Sequence, residues 1–366
     1  MANVPRYEKL KQLLKEKIVE DRLNVGDRFY SQNELIKKYN LSFATVTRAL
    51  NELEHEGYLV RQQGRGTFIK AIPGSDENSE PAERRVAVFI PWDFRNPAHI
   101  NFQRLYSAFE TALPQTYHVK LIPYGSEPEA LEQHLFSRDR VDVFVFAYPS
   151  EIHLPAVQRF ARTYPVVVIG HALGNDNISS VYTDNCRAAE EAVAHLLKLG
   201  HRAIGMISGD LTMTDSRERL EGYRDALRTA GVPFSESLVT YTRPFELNGY
   251  SGLIDLMDRN PEVRITGVFA AGDLIAMGAL AAARVMGKRV PEDLSVIGFD
   301  DITEAAEFDP PLTTMHVPIS DLGKKAAEQV VALAEGRGTH ASVELPAHLI
   351  ERDSVRQTGT MAPAEH

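Results

Sequence analysis

The chain has 366 residues, 43% hydrophobic and 25% charged, with a single cysteine and a net charge of −10. That balance excludes a disordered chain, and the length suits two or three compact units. With no run of about 18 apolar residues, a membrane-spanning helix is excluded as well. The charged start MANVPRYEKLKQLLKEK lacks the apolar core of a signal peptide, and Cys186 has no internal disulfide partner, so a reducing cytoplasm is the expected setting. Cys186 reads as a small helix residue rather than a reactive thiol. The average charge argues against nucleic acid, but it hides an asymmetry. Residues 1–72 hold 13 Lys and Arg against 9 Asp and Glu, whereas the remainder holds 27 against 41. A weakly basic head on an acidic body fits a phosphate-bearing partner at one end only.

Residues 5–20 set Tyr7, Leu10, Leu14 and Ile18 on one face and predict a helix. Ser31 with Glu34 three residues on forms a capping-box pattern that opens a helix over SQNELIKKYN. Ser42 then caps FATVTRALNELEHEG, which ends at Gly57 and turns Val46, Leu50 and Leu53 inward. This leaves Phe43, Ala44, Thr47 and Arg48 near an exposed N-terminal end, the part a recognition helix offers to the major groove. YLVRQQ and GTFIK flank QGRG and predict a hairpin wing.

On Ser31, Glu34, Leu35, Ser42, Thr45, Val46, Leu53, Gly57, Gly64, Gly66, Thr67 and Phe68, residues 5–70 resemble the GntR family of winged helix-turn-helix regulators. The resemblance implies double-stranded operator DNA as a partner. It places contacts at Ser31, Asn33, Ser42, Phe43, Ala44, Thr45, Thr47 and Arg48, and on the wing at Gln63, Gly64 and Arg65. Asn33, Phe43 and Thr47 stand where that family usually has arginine, so its usual operator sequence is not expected. Phe43 and Thr47 instead suit apolar contact with thymine methyl groups, while Arg48 and Arg65 suit phosphate or groove contacts.

AIPGSDENSEPAERR (residues 71–85) has little to bury and reads as a linker. Beyond it, short apolar runs at 86–90, 119–124, 141–147, 166–170, 203–209, 267–272 and 294–300 alternate with amphipathic stretches such as 185–199 and 217–230. That alternation predicts βαβ units, and their extent predicts two α/β lobes with parallel sheets and helices on both faces. No phosphate loop, nucleophile elbow or metal-ligand cluster occurs, so neither an enzyme nor a bound metal or cofactor is expected. Asp300 and Asp301 read as a structural strand end rather than an acid/base pair, and His201 as part of the helix end at Gly200.

The body carries VYTDN…HLLKLGHRAIGMISG at 181–209, RLEGYRDAL at 219–227, GVFAAGDLIAMGAL at 267–280, GKRVPEDLSVIGFDDI at 287–302 and DPPLTTMHVPISDLG at 309–323. On these motifs, residues 85–355 resemble the effector domain of the LacI family, which is built like a periplasmic sugar-binding protein. The resemblance implies two lobes joined by crossover strands and a ligand at the C-terminal ends of the strands. It makes Arg219 and Asp273 ligand contacts; a solvated face for Arg219 and a helix cap for Asp273 are the plainer readings. Trp92, Asp93, His99, Phe102, Tyr148, His171 and Phe245 are loop candidates, with Trp92 equally suited to stacking on a sugar or to a core edge. A GntR-type head on a LacI-type body resembles the arabinose-responsive repressors, the AraR group. That implies a sugar effector such as L-arabinose or another pentose, and a cytoplasmic homodimeric repressor that its sugar releases. The resulting division is residues 1–70 for DNA, 71–85 as linker, 86–356 for effector and dimerisation, and 357–366 as tail. A solute-binding protein of a transport system and an α/β enzyme such as a sugar kinase or epimerase are the competing readings.

Overall fold

The computed structural model of the chain describes residues 5–21, 23–24, 26–62, 66–70, 83–91, 100–124, 141–175, 177–242 and 249–358. The head opens with α1 (Arg6–Glu20), α2 (Gln32–Tyr39) and α3 (Phe43–His55). Ser31 Oγ accepts from the Glu34 amide at 3.3 Å and the Glu34 carboxylate accepts from the Ser31 amide at 2.7 Å, which completes the expected capping box. Ser42 Oγ accepts from the Thr45 amide at 3.2 Å and starts α3 in the same manner. Leu10, Leu14, Ile18, Leu35, Val46, Leu50 and Leu53 converge in one small core. Strands β1 (Leu59–Gln62) and β2 (Gly66–Ile69) pair antiparallel as the wing. Its turn, with Gln63, Gly64 and Arg65, lies outside the described residues.

The body begins with β3 (Arg84–Pro91), two residues inside the segment expected to be linker. It continues through α4 (Ile100–Ala112), β4 (Tyr117–Tyr124), β5 (Val143–Ala147), α5 (Leu154–Ala161), β6 (Val166–Gly170) and β7 (Ile178–Tyr182). The chain then crosses into a second lobe of α6 (Asn185–Lys198), β8 (Ile204–Ser208), α7 (Thr214–Thr229), β9 (Val239–Tyr241), α8 (Gly249–Asp258), β10 (Gly267–Ala270), α9 (Asp273–Val285), β11 (Ser295–Asp300) and β12 (Thr313–His316). It returns with α10 (Ile319–Ala334) and β13 (Ser342–Glu344), and crosses again into β14 (His348–Ile350). The strand orders are β13-β7-β6-β5-β3-β4 in lobe 1 and β14-β12-β11-β10-β8-β9 in lobe 2. All these pairings are parallel except β12 with β14, an antiparallel edge that the expectation of purely parallel sheets did not include. The Thr183 hydroxyl donates to the Leu345 carbonyl at 2.8 Å and ties two crossing segments together. β5 and β6 are buried along their whole length, as strands covered on both faces must be. The Thr358 amide still donates to the Leu199 carbonyl at 2.9 Å, so the ordered body runs past the expected start of the tail.

Asp273 departs from both of its sequence readings. It occupies the first turn of α9 but does not cap it, and it is 0% exposed, with no face on solvent. One carboxylate oxygen accepts from the Thr314 hydroxyl at 2.6 Å and the other from the Ile302 amide at 2.9 Å. The side chain thus fastens α9 to the ends of β11 and β12, while Gly298 leaves the space its Oδ1 occupies. Burial raises its pKa above the ordinary carboxylate range, and the nearby Asp300 charge adds to the rise. Because the fold retains a proton that the unfolded chain has released, stability falls as pH climbs from the ordinary carboxylate value toward the raised one. Asp273→Asn can accept from the Ile302 amide through its oxygen and donate to the Thr314 hydroxyl through its nitrogen, without a charge. It is expected to fold, to decline less between pH 5 and pH 8, and to be the more stable protein at pH 8. Denaturant unfolding across that range checks this, and a slope identical to wild type would contradict it.

Candidate nucleic-acid interface and effector cleft

On the head, the open surface is the start of α3. Phe43 there is 63% exposed. Asn33 and Ser42 are exposed beside it, and Ser31, Ala44, Thr45 and Thr47 are half-buried. Several of these hydroxyls already have work. Ser42 Oγ lies 2.8 Å from Thr45 Oγ1, and the Thr47 hydroxyl donates to the Phe43 carbonyl at 2.7 Å while Gln32 donates to it. Arg28, which the sequence reading missed, is exposed and sits against the wing, its Nε 3.4 Å from where a Cβ on Gly66 would stand. The isolated bridge between Arg28 and Phe68 places it there, with the Phe29 amide donating to the Thr67 carbonyl and the Ile69 amide to the Asp27 carbonyl on either side.

Arg48 requires a correction. It was expected on the DNA-facing side of α3, but it is 5% exposed and points the opposite way, toward the body. Along α3 it follows Thr47 by about 100° of helical turn, enough to pass from the open edge to the buried side.

In the body, the strand ends of both lobes converge. Arg219, on α7, is the central cation. Its Nε donates to Asn185 Oδ1 at 3.1 Å and one Nη to the Ala271 carbonyl at 2.5 Å, and the guanidinium lies 3.9 Å over the Phe299 ring. The other Nη has only longer ion pairs, 3.5 Å to Asp300 and 3.7 Å to Asp215. The solvated-face reading of Arg219 therefore fails: three sides are fixed and the fourth holds a loose carboxylate pair. Asp300 adopts φ 115° and Asp301 φ 56°, a strained bend that sends them to different partners. Asp301 binds Arg352 at 2.7 Å and His316 at 2.8 Å, away from Asp300, so no acid/base pair forms. Burial raises the Asp300 pKa and Arg219 opposes the rise.

Lobe 1 supplies Tyr148 and His171, which follow β5 and β6. Tyr148, at φ 48°, lies against Gly170, where a Cβ would come within 2.5 Å of its ring. Its hydroxyl is held un-ionised by burial and by Asp215 and Asp300, both from the opposite lobe. His171 is 6% exposed; burial lowers its pKa, Asp215 opposes that, and Nε2 makes no hydrogen bond. Ser208 Oγ, at the end of β8, is likewise buried and unbonded. Such atoms cost free energy until a hydroxyl or amide reaches them. At the rim, Arg217 of lobe 2 pairs with Glu151 of lobe 1 at 2.8 Å.

Phe102 is not part of this cleft: it is buried in the lobe 1 core and stacks near Tyr106 at 6.1 Å between centroids. Asp273 is enclosed behind the cleft as described above. Trp92, Asp93, His99 and Phe245 lie outside the described residues. Sequence reasoning missed Asp215 and Asn185, since nothing in TDSRERL or NCRAAEE marks one polar residue above its neighbours. The His201 side chain does not cap its helix; Nδ1 meets Thr266 at 3.0 Å and Nε2 the Arg356 carbonyl at 3.0 Å. Burial pushes the Cys186 thiol up to about 11, in line with an inert helix residue. Among the described residues, no helix is long and apolar enough to cross a membrane and no group of His, Cys, Asp and Glu is arranged to hold a metal.

Known proteins share both parts. Residues 6–69 match the family model of bacterial regulatory proteins, gntR family, and residues 193–355 match the periplasmic binding protein-like domain. The HTH-type transcriptional regulator CelR of Thermobifida fusca is 35% identical over 233 residues, 63% of this chain and 68% of that protein. DegA of Bacillus subtilis, also an HTH-type transcriptional regulator, is 34% identical over 241 residues, 65% of this chain and 71% of its own. A solved CelR–cellobiose complex superposes with a TM-score of 0.64 at 28% identity, covering 85% of this chain and 90% of that one. A transcription regulator GntR from Chromobacterium violaceum superposes with a TM-score of 0.65 at 28% identity, covering 74% and 99%. The chain therefore belongs to the bacterial HTH-type transcriptional regulators, with a gntR-type winged helix to bind DNA and a LacI-type, periplasmic binding protein-like body to respond to a ligand.

Proposed function

We propose that this protein represses carbohydrate-utilisation genes and leaves its operator when a sugar enters the cleft between the lobes. The observation that carries the reading is the half-satisfied polar set at the strand ends. Arg219 and Asp300 are paired only loosely, and His171 Nε2 is buried without a partner. A fork of N–H donors beside carboxylates is the arrangement that hydroxyl pairs of a sugar satisfy, each hydroxyl donating once and accepting once. The cellobiose seated in the CelR structure supports a sugar as the ligand class. Screening L-arabinose, other pentoses and cellobiose by thermal shift should find a sugar that raises the melting temperature. Calorimetry should then give a loss of roughly 10- to 100-fold for Arg219→Gln, the scale of one charged hydrogen bond. A sugar that binds the variant as tightly as wild type would remove Arg219 from the site.

The DNA reading assigns residues 1–70 to the operator, with Ser31, Asn33, Ser42, Phe43, Ala44, Thr45 and Thr47 at the surface presented. Phe43→Ala leaves the head core untouched and should not change its stability. It should lower affinity for the cognate operator about tenfold, the scale of one lost base contact, while non-specific binding stays the same. Electrophoretic mobility shifts on cognate and scrambled duplexes measure both, and an equal loss on the two would mean that Phe43 reads no base.

We also infer a homodimer through α8 and α9. Met277 at 41%, Val285 at 72% and Tyr250 at 40% expose apolar surface along this helix pair, and the exposed Ala281 continues the stripe. Two copies of such a face give the two heads that paired half-sites need. Sedimentation velocity should show a dimer for wild type and a monomer for the pair Met277→Glu and Val285→Glu; a dimeric variant would place the interface elsewhere.

A further inference from the structure

The buried Arg48 joins head to body. Its guanidinium lies 3.7 Å from the centre of the Tyr7 ring of α1 and 4.9 Å from that of Tyr164, in the loop that enters β6. One Nη donates to the Thr163 carbonyl at 2.8 Å and the other reaches the Asp142 carbonyl, in the loop that enters β5, at 3.4 Å. Asp142 is itself buried and receives the Arg85 amide at 2.8 Å and Arg84 at 3.4 Å, so the point where the chain enters the body sits at the same spot. Glu52, one turn along α3, lies 3.9 Å from the Arg48 Nε. A charge this deeply enclosed between two rings and two carbonyls is costly to leave unpaired, so it holds its seat. Around it the contact is polar: a cavity of about 140 Å³ is lined by Glu8, Lys11, Glu56, Arg84 and residues 333–335 at the end of α10. Polar interfaces within one chain are the kind that close and reopen, unlike a continuous apolar core.

We propose that the loops entering β5 and β6 form a docking surface for this chain's own winged helix, with Arg48 as the residue that locks it. The head is then held in one orientation and does not swing on a slack tether. The seat leaves the DNA-facing side free, since Phe43, five residues before Arg48 and so about 140° around the same helix, stays exposed while Arg48 is buried. Position gives the seat its significance. β5 (Val143–Ala147) lies between Asp142 in the seat and Tyr148 in the cleft, and β6 (Val166–Gly170) between Tyr164 and His171. Each strand spans about 17 Å, and each has the head at one end and a cleft residue at the other. A change of lobe 1 on ligand binding therefore reaches the head through these two rods; this consequence rests on the regulator reading, but the docking itself does not.

Nitrogen-15 relaxation of the full chain, without DNA or sugar, tests the docking. In wild type, head and body amides should share one rotational correlation time. Arg48→Ala, and separately the body-side Tyr164→Ala, should each lower the head's apparent correlation time about twofold or more, with its helical chemical shifts preserved. Arg48→Lys, which keeps the charge but loses the planar fork, should fall between. If Arg48→Ala unfolds the head, Tyr164→Ala decides alone, because it alters no residue of the head. A wild-type head that already tumbles independently, or a folded Tyr164→Ala head that tumbles with the body as wild type does, would overturn the proposal.

Discussion

A parallel strand covered by helices on both faces has only its two ends left for polar work, and the organisation of this protein follows from that constraint. Val143–Ala147 and Val166–Gly170 are apolar and fully enclosed, so whatever they connect must lie before or after them. At their C-terminal ends the chain breaks into Tyr148 and His171, and the backbone there bends through unusual conformations. At their N-terminal ends it presents the Asp142 and Thr163 carbonyls, which accept from Arg48. The first set faces the opposite lobe, and the second receives the head.

Two arginines solve the same physical problem at these two ends. Arg219 and Arg48 each lie against an aromatic ring and donate to backbone carbonyls, with carboxylates nearby. The planar, weakly hydrated guanidinium tolerates such enclosure where an ammonium would not. Their difference lies in what remains open. Arg48 commits both Nη to carbonyls and leaves only an enclosed Nε without a hydrogen bond, 3.9 Å from Glu52, which suits a joint. Arg219 keeps one Nη in loose ion pairs with Asp215 and Asp300, which suits exchange with an incoming ligand.

The carboxylates around Arg219 are separated by role through burial and geometry. Asp273 is sealed behind the cleft and bound to Thr314 and Ile302, where it shapes the strand ends without facing the space between lobes. Asp300 and Asp301 are neighbours in sequence, yet positive φ angles at both turn one to Arg219 and the other to Arg352 and His316. Asp215 contributes from the first turn of α7 and influences Tyr148 and His171 across the lobes. The cleft is thus closed by charge and hydrogen bonding more than by apolar packing, which is the condition for a ligand rich in hydroxyls to compete for it.

The sequence by itself determined the local structure and the division into head and body. Capping at Ser31, Glu34 and Ser42, the inward face of Tyr7, Leu10, Leu14 and Ile18, and the alternation of apolar runs with amphipathic helices are set by neighbours within a few residues. Such patterns survive in a linear reading. Arg219 as a candidate ligand contact followed from a motif resemblance, and geometry then showed its protein partners. What only the tertiary structure decided were contacts between residues far apart in the chain. Arg48 lies one residue past Thr47, and helical periodicity could not say whether a body would cover that side; Asp142 and Thr163 do. Asp273 carries the same motif whether its carboxylate faces a ligand or a hydroxyl on β12, and Thr314 settled the matter from 41 residues away. Phe102 fits a loop or a core equally well until α10 closes over lobe 1 from the far end of the chain. In each case the deciding quantity is burial by a distant segment, which no local pattern encodes.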